Sequence, residues 1–123
     1  MTVSRDFTFF HAPHSRSSCV LYLIEELGCP YTLHALSLDA GDNRAADHLA
    51  VNPMGKVPVI RHGDTIVTEQ GAIALYLGEL FPETGLCPPP GDPLRGALLR
   101  WLFFYGSCVE PAVLQKAMKW PDP

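Results

Sequence analysis

The chain has no patch of basic residues, no long apolar run and no paired-cysteine motif. Its nine Lys+Arg and thirteen Asp+Glu give a formal charge of −4, and they are scattered singly or in pairs. Phosphate backbones and anionic lipid surfaces are recognised by clustered cations, so neither a nucleic acid nor a membrane surface is expected as a partner. The longest strongly apolar run, Trp101 to Val109, is broken by Gly106 and Ser107 and is too short to cross a bilayer. Met1 to Phe10 carries Arg5 and Asp6 and lacks the apolar core of a secretory signal. Cys19, Cys29, Cys87 and Cys108 show no CxxC spacing, and no His or Cys follows at the distance of a zinc site. Free thiols, a cytoplasmic location and no bound metal are the expectations.

What is present is a core and a set of breaks. With 123 residues, 47% of them apolar, the chain is large enough to bury a core, and disordered or fibrous classes are excluded. Of its twelve prolines, five lie between Pro82 and Pro93, in PETGLCPPPGDP. A stretch of that kind holds neither a helix nor a central strand. It reads as a linker over 83–91, between a unit at 1–82 and the beginning of a second at 92–123.

The first unit alternates. Asp6–His11 and Tyr31–Leu36 read as strands, with a helix over Cys19–Leu27 that Gly28 stops. A weaker helix, Asn43–Ala50, precedes a strand at Val57–Arg61. His62-Gly63-Asp64 makes a tight turn into a strand at Thr65–Thr68, and Glu69–Leu80 is a strong helix. The order is βαβαββα, an α/β arrangement whose opening strands are parallel through a right-handed crossover. Beyond the linker, Asp92-Pro93 signals a helix start. The helix from about Leu94 to Tyr105 is apolar nearly all round, and the pattern weakens after Pro111.

Chemistry has three places to sit. In the first turn, HAPHSRSS at 11–18, the hydroxyls of Ser15, Ser17 and Ser18 either cap the helix or face an anion held at its N-terminus. Arg16 reads as a solvated charge, and His11 and His14 lack a third metal ligand. In NPMGKVP at 52–58, a cis Val57–Pro58 bond would leave the backbone of Val57 free to pair with an extended peptide; a trans edge proline is the plainer reading. In TEQGAI at 68–73, a helix start suits a carboxylate, and Glu69 suits an ammonium or simply complements the helix dipole.

Taken in order, PHSRSSCVLYLIEELGCPY, NPMGKVPVI and TEQGAIALYLGELFPE closely resemble the N-terminal half of cytosolic glutathione transferases, especially bacterial serine-type ones. The resemblance runs over residues 7–83 and continues through DPLRGALLRWLFF, which looks like the first helix of the family's helical domain. It implies a thioredoxin-like domain followed by that first helix, the all-α domain being truncated. It also implies glutathione as co-substrate, a small electrophile as second substrate, and a homodimer. Carried over residue by residue, Val57 would pair with the cysteinyl backbone of glutathione, Pro58 would be cis, and Lys56 would be a further glutathione-binding residue. Glu69 and Gln70 would hold its γ-glutamyl end, Gln70 standing where the family usually has Ser or Thr. Ser15, or else Ser17, would donate a hydrogen bond to the sulfur. The implied activity is transfer of glutathione to an electrophile, with detoxification as its setting. The alternative is a non-catalytic module that keeps the fold for binding or dimerisation, in line with the chain's shortness against the family norm.

Overall fold

In a computed structural model, which describes residues 3–121, the chain forms a four-stranded mixed sheet followed by a long helix. The strands are β1 Thr8–His11, β2 Thr32–Ala35, β3 Val59–His62 and β4 Thr65–Thr68, and the sheet order is β2-β1-β3-β4. β1 and β2 are parallel, joined through α1, Ser17–Leu27; β3 is antiparallel to both β1 and β4. α2, Ala46–Val51, precedes β3, and α3, Gln70–Leu80, follows β4.

The alternation of a strand decides where each layer packs. Phe9 pairs with Ile60 and Phe10 with Val59 across β1 and β3. Successive side chains point to opposite faces. Phe9 and Ile60 therefore join Val20, Ile24, Ile73 and Leu77 under α1 and α3. Phe10 and Val59 join Leu36, Val57 and Val51 on the other face, beside α2. All of the named residues but Val51 are buried, and each contributes roughly 1.5–3 kcal/mol of apolar burial. α1 ends at Gly28 with φ 64, whose N–H bonds the carbonyls of Ile24 and Glu25. That left-handed cap is the stop the sequence signals. A helix-sheet-helix layering on this strand order is the thioredoxin-like α/β fold.

Some boundaries differ from the sequence reading. β3 starts at Val59 and not Val57, because Pro58 has no N–H for the ladder. The second helix is divided into a 3₁₀ turn, Asp42–Arg44, and α2, because Ala45 is extended between them. The four cysteines are free.

The larger correction lies beyond the proline-rich stretch. Asp92 Oδ1 accepts the N–H of Leu94 at 2.8 Å, and the helix begins at Arg95. It does not stop near Tyr105. α4, Arg95–Phe104, runs into a π-helical turn, Tyr105–Val109, and then into α5, Glu110–Met118. In that turn the N–H of Glu110 reaches back five residues to the carbonyl of Tyr105. Pro111 therefore falls at the start of a new α segment, where its missing N–H is tolerated. At 24 residues this continuous helix is long and apolar enough to cross a membrane by length and composition alone, contrary to the short run read from sequence. Two ion pairs tie it instead to the sheet unit: Arg95 to Glu79 of α3 at 2.9 Å, and Arg16 to Glu110 at 2.6 Å.

Candidate active site

The turn from β1 into α1 brings serines together without making them equivalent. Ser17, the first residue of α1, is fully buried. Its Oγ accepts the N–H of Ala12 at 3.1 Å and lies 2.7 Å from Nδ1 of His11 and 2.6 Å from Oγ of Ser15. Ser15 is only partly buried. Its Oγ accepts the N–H of Ser17 at 3.1 Å, and it donates to the carbonyl of Ala12 at 2.7 Å. Burial pushes the His11 imidazole pKa below its usual value. No group of metal-ligating side chains is found among the described residues.

Next to this turn is a cleft of about 260 Å³. Arg16, Lys56, Val57, Pro58, Glu69 and Gln70 line it, and Gly106 and Glu110 of the long helix close one side. Five of the seven residues singled out from the sequence thus meet in one cavity; Ser15 and Ser17 do not line it. The Val57–Pro58 peptide is cis, as the resemblance implies. Val57 stands outside the ladder, since the β1–β3 register ends at Phe10 and Val59. The carbonyl just before it, on Lys56, is held by Nδ2 of Asn52 at 3.0 Å and Nε2 of His48 at 3.1 Å.

The other wall is the entry to α3. Glu69 has φ 71 and ψ 124, a conformation that side chains other than glycine rarely adopt. Strain of this kind, on the order of 1–3 kcal/mol, collects at functional sites. Gln70 follows with its Oε1 buried and without a partner. A buried acceptor left unmatched is costly, and a donor on a ligand would match it.

Sequence reasoning missed Arg16, His48 and Glu110. Arg16 and Glu110 are 94 positions apart, and no local pattern joins them. Tyr105, at the start of the π turn, has its hydroxyl 3.5 Å from Sγ of Cys19. The hydrogen bond to Cys19, then burial, then the nearby charges of Cys19 and Glu110 push its pKa up to about 12.

The fold and the cleft define a thioredoxin-like protein with a peptide-sized site at the N-termini of two helices. Residues 5–79 match the family described as glutathione S-transferase, N-terminal domain, and the chain belongs to that family. Glutathione S-transferase 1 of Dianthus caryophyllus is 38% identical over 77 residues, 60% of this chain and 35% of that protein. Protein URE2 of Candida maltosa is 32% identical over 113 residues, 87% of this chain and 34% of that protein. Among solved structures, a glutathione transferase homologue from Sulfitobacter with bound glutathione superposes with a TM-score of 0.80 at 29% identity, covering 98% of this chain and 59% of that one. A sphingomonad glutathione S-transferase complexed with glutathione gives 0.77 at 31% identity, covering 87% and 54%. The chain spans about a third of the length of these curated relatives and somewhat over half of these solved chains.

Proposed function

We propose that this chain binds glutathione in the cleft and activates its thiol for attack on a small electrophile, as a serine-type glutathione transferase. One observation carries the reading: Lys56, Val57, Pro58, Glu69 and Gln70, picked from two separate motifs, line one cavity. In this reading residues 1–82 are the glutathione-binding unit, and the helix beyond the 83–91 linker begins the wall for the second substrate. The cysteinyl backbone pairs with Val57. Lys56 meets the glycyl carboxylate. The ammonium of the γ-glutamyl end donates to Glu69 and to the unpartnered Oε1 of Gln70. An acceptor there suits an ammonium.

The chemistry asked of the site is modest. A free thiol with a pKa of about 8.5 is only a few per cent ionised at neutral pH. A hydroxyl donor and a helix N-terminus both favour the thiolate. Stabilising the thiolate by about 1.4 kcal/mol gives close to tenfold more nucleophile. The partial burial of Ser15 and the complete burial of Ser17 support Ser15 as that donor.

The experiment is Ser15→Ala with glutathione and a chromogenic aryl halide. Conjugation should fall by one to two orders of magnitude, roughly 1.4–2.7 kcal/mol, with little change in glutathione affinity. Unchanged turnover in Ser15→Ala would remove the assignment. Retention on immobilised glutathione with no turnover by the unmodified chain would favour a binding module in place of an enzyme.

A further inference from the structure

The peptide bond between Lys56 and Val57 is gripped at one end only. Its carbonyl takes Nε2–H of His48 at 3.1 Å and Nδ2–H of Asn52 at 3.0 Å, which fills both lone pairs. A carbonyl donates nothing, so the proton of the first contact is on Nε2 of His48. Nδ1 of the same ring is buried without a partner among the described residues, so Nε2 makes the ring's one hydrogen bond. Asn52 is equally committed. Its Oδ1 accepts the N–H of Met54 at 3.1 Å, which leaves Nδ2 facing the Lys56 carbonyl. Both side chains are buried. Nδ2 of Asn43 holds the preceding carbonyl, of Gly55, at 2.9 Å.

The other end of the bond is unclaimed. The N–H of Val57 has no hydrogen-bond partner among the described residues. Among those residues the one cis bond follows Val57, so Lys56–Val57 is trans. In a planar trans peptide the C=O and N–H point in opposite directions. The carbonyl points to His48 in α2 and to Asn52 just after it. The N–H therefore points away from α2. α2 packs on one face of the sheet and α3 on the other. The cleft wall across from Lys56 and Val57 is the start of α3, at Glu69 and Gln70. An unpaired N–H turned that way, on a residue that lines the cleft, needs an acceptor in the cleft.

We infer that His48, together with Asn52, holds the Lys56–Val57 peptide so that the N–H of Val57 stands in the cleft as a fixed donor to a carbonyl of bound glutathione. The inference rests on the reading that glutathione occupies the cleft. His48 is a positioning residue: it does not line the cleft and acts through the peptide it holds. Without it the carbonyl keeps one donor in place of two, and the peptide plane is freer to rock. A hydrogen bond weakens steeply as its donor turns off line. With both lone pairs of the Lys56 carbonyl filled, this peptide presents a donor to the cleft and no acceptor.

Histidine ring-nitrogen NMR on the unliganded chain tests the proton assignment at about pH 8, above the ordinary imidazole pKa of about 6.5. Nε2 of His48 should carry the proton. A proton on Nδ1 instead overturns the inference, whether or not glutathione binds. The consequence is read from hydrogen exchange at the Val57 amide with glutathione in excess. In the unmodified chain, glutathione should slow that exchange by at least about tenfold. His48→Phe keeps a ring beside Phe10 and removes the donor. It should lose most of the slowing and bind glutathione about tenfold more weakly. His48→Gln places an amide N–H near the position of Nε2 and should restore both. Full slowing in His48→Phe overturns the inference, as does a His48→Gln no better than Phe. Glutathione bound to the unmodified chain without slowing Val57 overturns the inference and leaves the proposed function standing. Failure of the unmodified chain to bind glutathione overturns the proposed function, and the role of Val57 as donor to it.

Discussion

The guanidinium of Arg16 at the start of α1 lies 2.6 Å from the carboxylate of Glu110 at the start of α5. Both line the same cleft, so this ion pair is part of its wall. Arg16 is about half exposed and Glu110 mostly covered, at 48% and 13%. A pair this open to water contributes at most about 1 kcal/mol to stability.

Glu110→Gln should therefore cost little stability while changing the cleft. It removes a negative charge and releases Arg16 toward an anionic tripeptide. Calorimetry should show glutathione affinity rising roughly two- to fivefold, on the order of 0.5–1 kcal/mol, and the gain should shrink in high salt. A fall in affinity would mean that Glu110 itself contacts the ligand.

Glu69→Gly separates strain from binding. Glycine accepts a φ of 71 without a steric penalty, and the relief of about 1–3 kcal/mol exceeds its entropic cost of about 0.5–1 kcal/mol. The unfolding temperature should rise by a few degrees. Glutathione affinity should drop by at least about tenfold, because a charged hydrogen-bond partner is lost. Unchanged affinity would exclude Glu69 from the binding site.

Tyr105 should titrate near 12 in an ultraviolet pH titration. Its folded pKa is raised, so its contribution to stability is complete below about 10, the unfolded value, and is lost as pH rises from there to about 12. The hydrogen bond to Cys19 is the largest cause. Cys19→Ala should bring the phenol back toward 10 and narrow that window.

The long helix exposes Trp101 at 58%, Phe103 at 73% and Phe104 at 45%. Burying a large apolar side chain is worth roughly 1.5–3 kcal/mol, so this face should self-associate. Sedimentation velocity at low micromolar concentration should show species larger than one chain. Phe103→Lys should shift the distribution toward the monomer. A monomeric unmodified chain would end this expectation.

Sequence patterns revealed the order of the seven elements of the sheet unit, because α1 and α3 repeat at helical spacing, β1 is rich in Phe and Thr, and glycine or proline stands between elements. It also located both walls of the cleft, since Pro58 and the start of α3 are local signals. The difference between Ser15 and Ser17 was not legible. Both are small hydroxyls in one turn, and only the packing of α1 on β1 buries one and leaves the other partly open. The run of the helix past Pro111 was hidden for a related reason. Proline is a local stop signal, and the π turn that accommodates it is a property of five residues' backbone bonds.

That π turn sets where the far half of the helix points. A residue beyond the α-helical repeat rotates everything after it by about 100° relative to an unbroken helix. Arg95, before the turn, grips Glu79 on α3; Glu110, just after it, grips Arg16 at the head of α1. With the extra residue absorbed, the two grips lie within about 40° of each other around the axis, so one rod reaches both neighbours from a single stripe. Holding residues 105–109 in regular α turns with no residue removed would swing Glu110 by about 100° from Arg16, opening the cleft without altering any residue of the sheet unit.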